Sequence, residues 1–186
     1  PELGIVYLPT EMPTNDYYGG HRHGDNLFAN SLVAVDIDTG ERLWHFQFIH
    51  HDVWDWDIPC APILVDITVD GREIKAIAQP TKQSWLYVFD RVTGEPVWPI
   101  EEQPVDPSDV PGELLAPTQP FPTRPPAYDR QGVSLDDLVD FTPEIKSRAE
   151  EILARYRIGP IFTPPSVATS DGTFGTLMLP STGGGI

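Results

Sequence analysis

The stretch "AVDIDTGERLW", residues 34–44, returns as "VFDRVTGEPVW" at residues 88–98. Asp36, Thr39, Gly40 and Trp44 recur as Asp90, Thr93, Gly94 and Trp98, at a constant offset of 54 positions. Each copy reads as a hairpin. An apolar run ("SLVAVDI", 31–37; "SWLYVFD", 84–90) leads into an Asp-x-x-Thr-Gly turn whose glycine can take positive φ, and a second run opens on tryptophan ("RLWHFQF", 42–48; "PVWPI", 96–100). Two unrelated hairpins with a common turn would share the turn residues alone. A match that extends to the tryptophan favours two successive blades of a β-propeller, in which the Trp of each blade docks on its neighbour.

The residues between the copies supply the remaining strands of a blade. "APILVDITV" (61–69) and "IKAIAQP" (74–80) flank the Asp-Gly turn "DGR" (70–72). The segment 99–131 differs in kind: it is rich in proline and acidic residues and has no regular period, which predicts an extended surface loop. A helix is expected over 142–158, with Thr142 as N-cap, Pro143 at the first helical position, and Ile145, Ala149, Ile152, Leu153 and Tyr156 on one face, closing at Gly159. Lys146, Arg148, Glu150 and Glu151 form its solvated face. The fold class is all-β, a partial β-propeller of one domain over 1–186, with the helix inserted and packed on its rim.

Composition narrows the function. Twelve basic residues stand against 28 acidic ones in 186, a net charge of −16. A surface this negative repels phosphate backbones and anionic headgroups, which excludes nucleic acid as a partner. Cys60 is the single cysteine, so no disulfide forms within the chain. No run of about 18 apolar residues exists to span a membrane. The sequence begins inside a strand-like alternation at "PELGIVYLP" and stops at "STGGGI" after another strand-like run, the pattern of a piece of a longer protein.

The densest chemistry lies in "HHDVWDWD", residues 50–57. As a strand it would place His51, Val53, Asp55 and Asp57 on one face and His50, Asp52, Trp54 and Trp56 on the other. Carboxylates in this number are costly to bury unless paired or bound to a cation. Residue types alone leave open a solvated connector with a tryptophan anchor. A zinc site lacks both the His-x-x-x-His spacing and a cysteine pair.

"GIVYLP", "NDYYGGHRHGDNLFANSLVAVDIDTGERLWHFQ", "HHDVWDWD", "PTKQSWLYVFDRVTGEPVW", "PTQPFP" and "GPIFTPPS" together resemble the pyrroloquinoline quinone (PQQ) dehydrogenases, most nearly the membrane glucose dehydrogenase type. The resemblance covers nearly the whole chain. It implies an eight-bladed propeller of four-stranded blades holding PQQ and Ca2+ on its axis, in the bacterial periplasm. A 54-residue period suits such blades better than the period of about 40–45 typical of WD40 repeats.

By this resemblance Asp55 is the general base that takes the alcohol proton, beside the calcium ion. A carboxylate suits both tasks, since it accepts a proton and coordinates a hard cation through oxygen. Lys82, in "PTKQSW", matches the basic residue that hydrogen-bonds the quinone oxygens. The calcium-binding asparagine of alcohol-oxidising members, in "GTGN", has no counterpart in register; "TEMPTND" offers Asn15 as the nearest oxygen donor. The glutamate ligand, the stacking tryptophan and the far wall of the pocket are expected outside this sequence.

The reading is therefore a quinoprotein dehydrogenase that oxidises an alcohol or a sugar hydroxyl and passes electrons to a quinone or cytochrome c acceptor. The alternative is a non-catalytic propeller module for protein binding, against which the presence of both Asp55 and Lys82 argues. A metal-dependent hydrolase would require an open zinc site whose ligands are missing.

Overall fold

The structure is a computed structural model that describes residues 2–180; the "STGGGI" stretch, 181–186, lies outside the described residues. The repeat forms two antiparallel meanders. The first joins β1 (Ile5–Pro9), β2 (Ser31–Asp36) and β3 (Arg42–Gln47), and the second joins β4 (Ile63–Val69), β5 (Arg72–Pro80) and β6 (Leu86–Asp90), each in sequence order. They are two blades of a partial β-propeller.

The shared turn residues act identically in both copies. Asp36 Oδ1 accepts from the Thr39 amide at 2.8 Å, and Asp90 Oδ1 accepts from the Thr93 amide at 3.3 Å. Gly40 and Gly94, at φ +72° and +79°, return their amides to the Asp36 and Asp90 carbonyls at 2.9 and 2.8 Å. The β4–β5 hairpin turns on Asp70 and Gly71, both at positive φ, as a two-residue loop matched to strand twist requires. Because the strands alternate in direction, these tight turns collect at one end of the blades. The long connections 10–30 and 48–62 and the turn 81–85 collect at the other.

Between the blades lies an aromatic core. Phe46, Phe48, Tyr87 and Phe89 pack with centroids 4.8–6.2 Å apart. Trp44 crosses the boundary as the repeat predicts: its indole N–H donates to the Arg91 carbonyl at 3.3 Å, and its ring lies directly on Gly94, where a Cβ would come within 2.7 Å of it. Trp98 does not dock in that way. It packs on the face of its own blade, against the cluster of Ile74, Ala76, Ala78 and Val88.

Several sequence expectations need correction. The strand expected at 96–100 is reduced to a bridge between Pro96 and Phe89 and one Val97 N–H donated to Val88 at 2.9 Å, since Pro96 and Pro99 remove donors from the ladder. The segment 99–131 is not an unpaired loop: β7 (Ile100–Pro104) pairs antiparallel with β8 (Thr118–Pro122). A two-stranded ribbon has a free edge on each strand, so Pro104, Pro120 and Pro122 fit without loss. Helix α1 spans Pro143–Leu153, capped by Thr142 as expected, and stops short of 158. There the chain is drawn into pairing with a neighbouring segment, Phe174 donating to the Arg155 carbonyl at 2.6 Å and Leu177 to Arg157 at 2.9 Å. The strand-like run ahead of 181 makes a single bridge, Thr176 with Arg157. Of the expected apolar face of α1, only Leu153 is buried; Ile145 and Ile152 remain 41% and 47% exposed, so the face is not packed on the blades among the described residues.

Trp44→Ala removes the half-buried aromatic that crosses the blade boundary and is expected to cost about 2–3 kcal/mol, less than the loss of a fully buried ring. Gly94→Ala forces a Cβ against the ring at positive φ and is expected to cost about 2–3 kcal/mol. In the double variant the losses should fall short of their sum, because removing the ring relieves the clash. Melting midpoints of the four proteins check this, and strict additivity would show that the ring and the glycine do not meet.

Candidate active site

Residues 48–62 contain no strand, so the two-face alternation expected for 50–57 is not formed. His51 and Asp55 sit at φ +49° and +60°, which bends the chain into a compact turn. The reason is Asp52. Its buried carboxylate accepts from the Trp54 amide at 2.7 Å, the Trp56 amide at 2.9 Å and Asn30 Nδ2 at 2.8 Å, so the backbone wraps around it. Burial outweighs these three donors and pushes the Asp52 carboxyl up to about 6. Ionisable groups and rings are thus not sorted apart, since His51 and Asp52 are buried alongside Val53, Trp54 and Trp56.

The turn sends the two indoles inward. Trp54 and Trp56 stack at 5.4 Å with a 13° interplanar angle, and both meet the edge of Phe162. Trp54 Nε1 donates to the Thr163 carbonyl at 2.9 Å, which ties the turn to a segment more than a hundred positions away. What remains outward is Asp55 and Asp57, both half-buried.

Lys82 meets them from the β5–β6 turn. That turn is closed by Thr81 donating to the Trp85 carbonyl at 3.0 Å and by Ser84 at φ +64°. The ammonium group donates to Asp57 Oδ2 at 2.9 Å and to the Asp55 carbonyl at 3.1 Å, and lies 3.9 Å from Asp55 Oδ1. The other oxygen of Asp57 accepts from the Met12 amide at 3.0 Å, which brings the 10–30 connection to the same place.

The two carboxylates are driven in opposite directions. Burial raises Asp55 above the usual carboxylate range, opposed by Lys82 and helped by the charges of Asp57 and Asp16. Burial acts on Asp57 too, but the Lys82 hydrogen bond and the Met12 amide outweigh it and hold that carboxyl below the usual range. Asp55 is therefore the more basic of the pair.

The structure brings Asp55 and Lys82 together, and the Asn15 side chain makes no hydrogen bond to either. Asn15 is exposed, and its backbone carbonyl, not its side chain, is engaged, by Arg22 Nη2 at 3.0 Å. Among the described residues, no three His, Cys, Asp or Glu side chains are grouped as a metal cage. Adjacent carboxylate oxygens on Asp55 and Asp57 nonetheless suit one side of a hard cation, and a lysine beside them suits an anionic or quinone oxygen. Asp57 is the residue that sequence reasoning passed over. Its spacing from Asp55 was visible, but its tie to Lys82 depends on the fold. No helix among the described residues is long and apolar enough to cross a membrane.

The family model described as "PQQ: Glucose/ethanol/alcohol dehydrogenase, beta-propeller domain" matches residues 1–186. The chain is 36% identical over 182 residues to the quinoprotein glucose dehydrogenase of Escherichia coli, covering 96% of this chain and 22% of that protein. It is 33% identical over 188 residues to the quinate/shikimate dehydrogenase (quinone) of Acinetobacter baylyi, covering 100% of this chain and 22% of that protein. Among solved structures, the quinohemoprotein alcohol dehydrogenase of Comamonas testosteroni aligns at 29% identity with a TM-score of 0.50, over 65% of this chain and 18% of that one. A europium-containing methanol dehydrogenase aligns at 26% identity and TM-score 0.50, over 66% of this chain and 21% of that one. The chain thus spans about a fifth of the length of these relatives. With its blades, its docking tryptophan and a match along its whole length, the chain belongs to the β-propeller family of the PQQ glucose/ethanol/alcohol dehydrogenases.

Proposed function

We propose that the protein containing this chain oxidises an alcohol or sugar hydroxyl with PQQ as cofactor, and that Asp55 is its general base. The observation that carries this reading is the pairing of a raised, half-open carboxylate with a fixed ammonium group: Asp55 Oδ1 lies 3.9 Å from Lys82 Nζ. A base works best when its pKa approaches the working pH, and the environment of Asp55 moves it that way. PQQ, when bound, supplies the acceptor for the hydride that leaves the substrate carbon. Asp55 takes the hydroxyl proton, so that the carbon is left as a carbonyl. Lys82 is the donor available to the quinone oxygens, and Asp57 keeps its ammonium in place. The oxygens of Asp55, with Asn15 as a further donor from the 10–30 connection, would hold Ca2+. Electrons then pass to a quinone, as the name of the quinate/shikimate dehydrogenase (quinone) supports, or to cytochrome c, and the setting is the periplasm.

The decisive test is dye-coupled oxidation of alcohols and sugars by the full-length protein reconstituted with PQQ and calcium. Asp55→Asn keeps the shape and one oxygen but cannot take a proton, so turnover should fall by about 10²–10⁴ with cofactor still bound. Asp57→Asn loosens Lys82 without removing the base, and about a tenfold loss is expected. Normal turnover by the Asp55 variant would remove Asp55 as the base, whereas no oxidation by the loaded wild-type protein would leave the protein-binding module as the better reading.

Cofactor loading gives an independent check. The carboxylates of PQQ and of Asp55 repel each other unless a cation lies between them, so excess chelator should abolish PQQ uptake as followed by absorbance. Equal uptake with and without chelator would remove calcium from the site.

A further inference from the structure

Glu113 lies in the proline-rich segment between β7 and β8, which carries none of the chemistry assigned so far. Its side chain is nevertheless 3% exposed and holds three donors. Oε1 pairs with His51 Nε2 at 2.6 Å and accepts from the Leu114 amide at 3.1 Å, and Oε2 accepts from the Gly19 amide at 2.5 Å. The fully buried His51 also places Nδ1 2.8 Å from the Gly24 carbonyl, and its amide donates to the Asp25 carbonyl at 3.2 Å. A Cβ at Gly19 would collide with the His51 ring, so this position must stay glycine for the contact to close. Exposed contacts flank the buried centre, Tyr18 Oη donating to the Pro111 carbonyl at 3.2 Å and His23 Nε2 to Gly112 at 3.3 Å.

From Gly19 the connection continues toward the aspartates. The Arg22 amide donates to the Gly19 carbonyl at 2.9 Å, and Arg22 Nη2 donates both to the Asn15 carbonyl at 3.0 Å and to the Asp52 carbonyl at 2.5 Å. The same loop supplies the Met12 amide to Asp57. A buried carboxylate with three donors is expensive to disturb, and each donor belongs to a different stretch of chain.

We infer that Glu113 is a positioning residue: by gripping Gly19 and His51 together, it docks the 11–30 loop, with Asn15 and Asp16, onto the turn that presents Asp55 and Asp57. Its consequence for cation binding rests on the dehydrogenase reading proposed above, whereas the docking of the loop does not.

The test uses the full-length protein and the variants Glu113→Ala, Glu113→Gln and Gly19→Ala, with amide hydrogen exchange over 11–30 and a calcium titration of PQQ uptake. Glu113→Ala and Gly19→Ala should each speed exchange of the loop by about tenfold or more and raise the calcium needed for half-maximal uptake by about 10–100-fold, the range seen when a residue supporting a metal ligand is lost. Glu113→Gln keeps the side-chain volume and one oxygen acceptor, so it should fall between wild type and Glu113→Ala in both readouts; it also serves as the arm to read if the alanine variant does not fold. Unchanged loop exchange in the variants overturns the inference, and faster exchange with an unchanged calcium requirement upholds the docking of the loop but overturns its consequence for cation binding. If the wild-type protein takes up neither PQQ nor calcium, the dehydrogenase reading fails, while faster exchange in the variants still upholds the docking of the loop.

Discussion

The site depends on where one carboxylate goes. Asp52 is 1% exposed, and a carboxylate in that position is tolerable only with its lone pairs engaged. Its donors come from the two amides that flank Asp55 on either side and from Asn30 at the head of β2. Asn30 also donates to the Trp56 carbonyl at 3.1 Å, so the turn is fastened to the first blade from both directions. Once the backbone has closed around Asp52, the stacked indoles have only the interior to enter. Asp55 and Asp57 have only the outside.

The division of labour between the two ends of the blades follows from the meander. Antiparallel strands put every second connection at the same end, so the tight Asp-x-x-Thr-Gly and Asp-Gly turns are separated from the long connections by the length of a strand. The turn end carries the blade contact through Trp44 and Gly94. The opposite end gathers three irregular segments whose side chains and amides converge on Lys82, Asp55 and Asp57. Chemistry is placed on loops held by a rigid scaffold, and each loop is short of regular hydrogen bonds, which is why buried polar side chains such as Asp52 and Glu113 must replace them.

Much of this was legible in the sequence. The offset of 54 identified the blades, and the shared Asp, Thr and Gly make the same bonds in both copies. Asp55 and Lys82 were identified by resemblance, and the fold brings them together across 27 positions. What could not be read was long-range. A period-2 reading of 50–57 fails because a polar side chain captured the backbone, and alternation assumes that only the ladder does so. Proline content suggested an unpaired loop over 99–131, but proline is excluded only where both edges of a strand are bonded. The contacts that give Asp57 and Glu113 their roles carry no local signal: one is made by a lysine after the next hairpin, the other by a glycine 94 positions earlier.

Gly94 answers two demands at once. Its positive φ closes the hairpin turn, and the bare face left by the missing side chain receives the indole of Trp44. The first repeat thus supplies a knob at the head of its last strand and the second a socket in its turn, two halves that one repeating unit can carry together. Such a unit is complementary to a copy of itself in a head-to-tail sense, and duplicating it in tandem duplicates both halves of the contact together. Nothing in that contact counts the copies. The number needed to close a ring is set by the small rotation between one sheet and the next, a property of strand twist and of the bulk of the aromatic core, so the residues that hold neighbours together and those that fix the size of the ring can change independently.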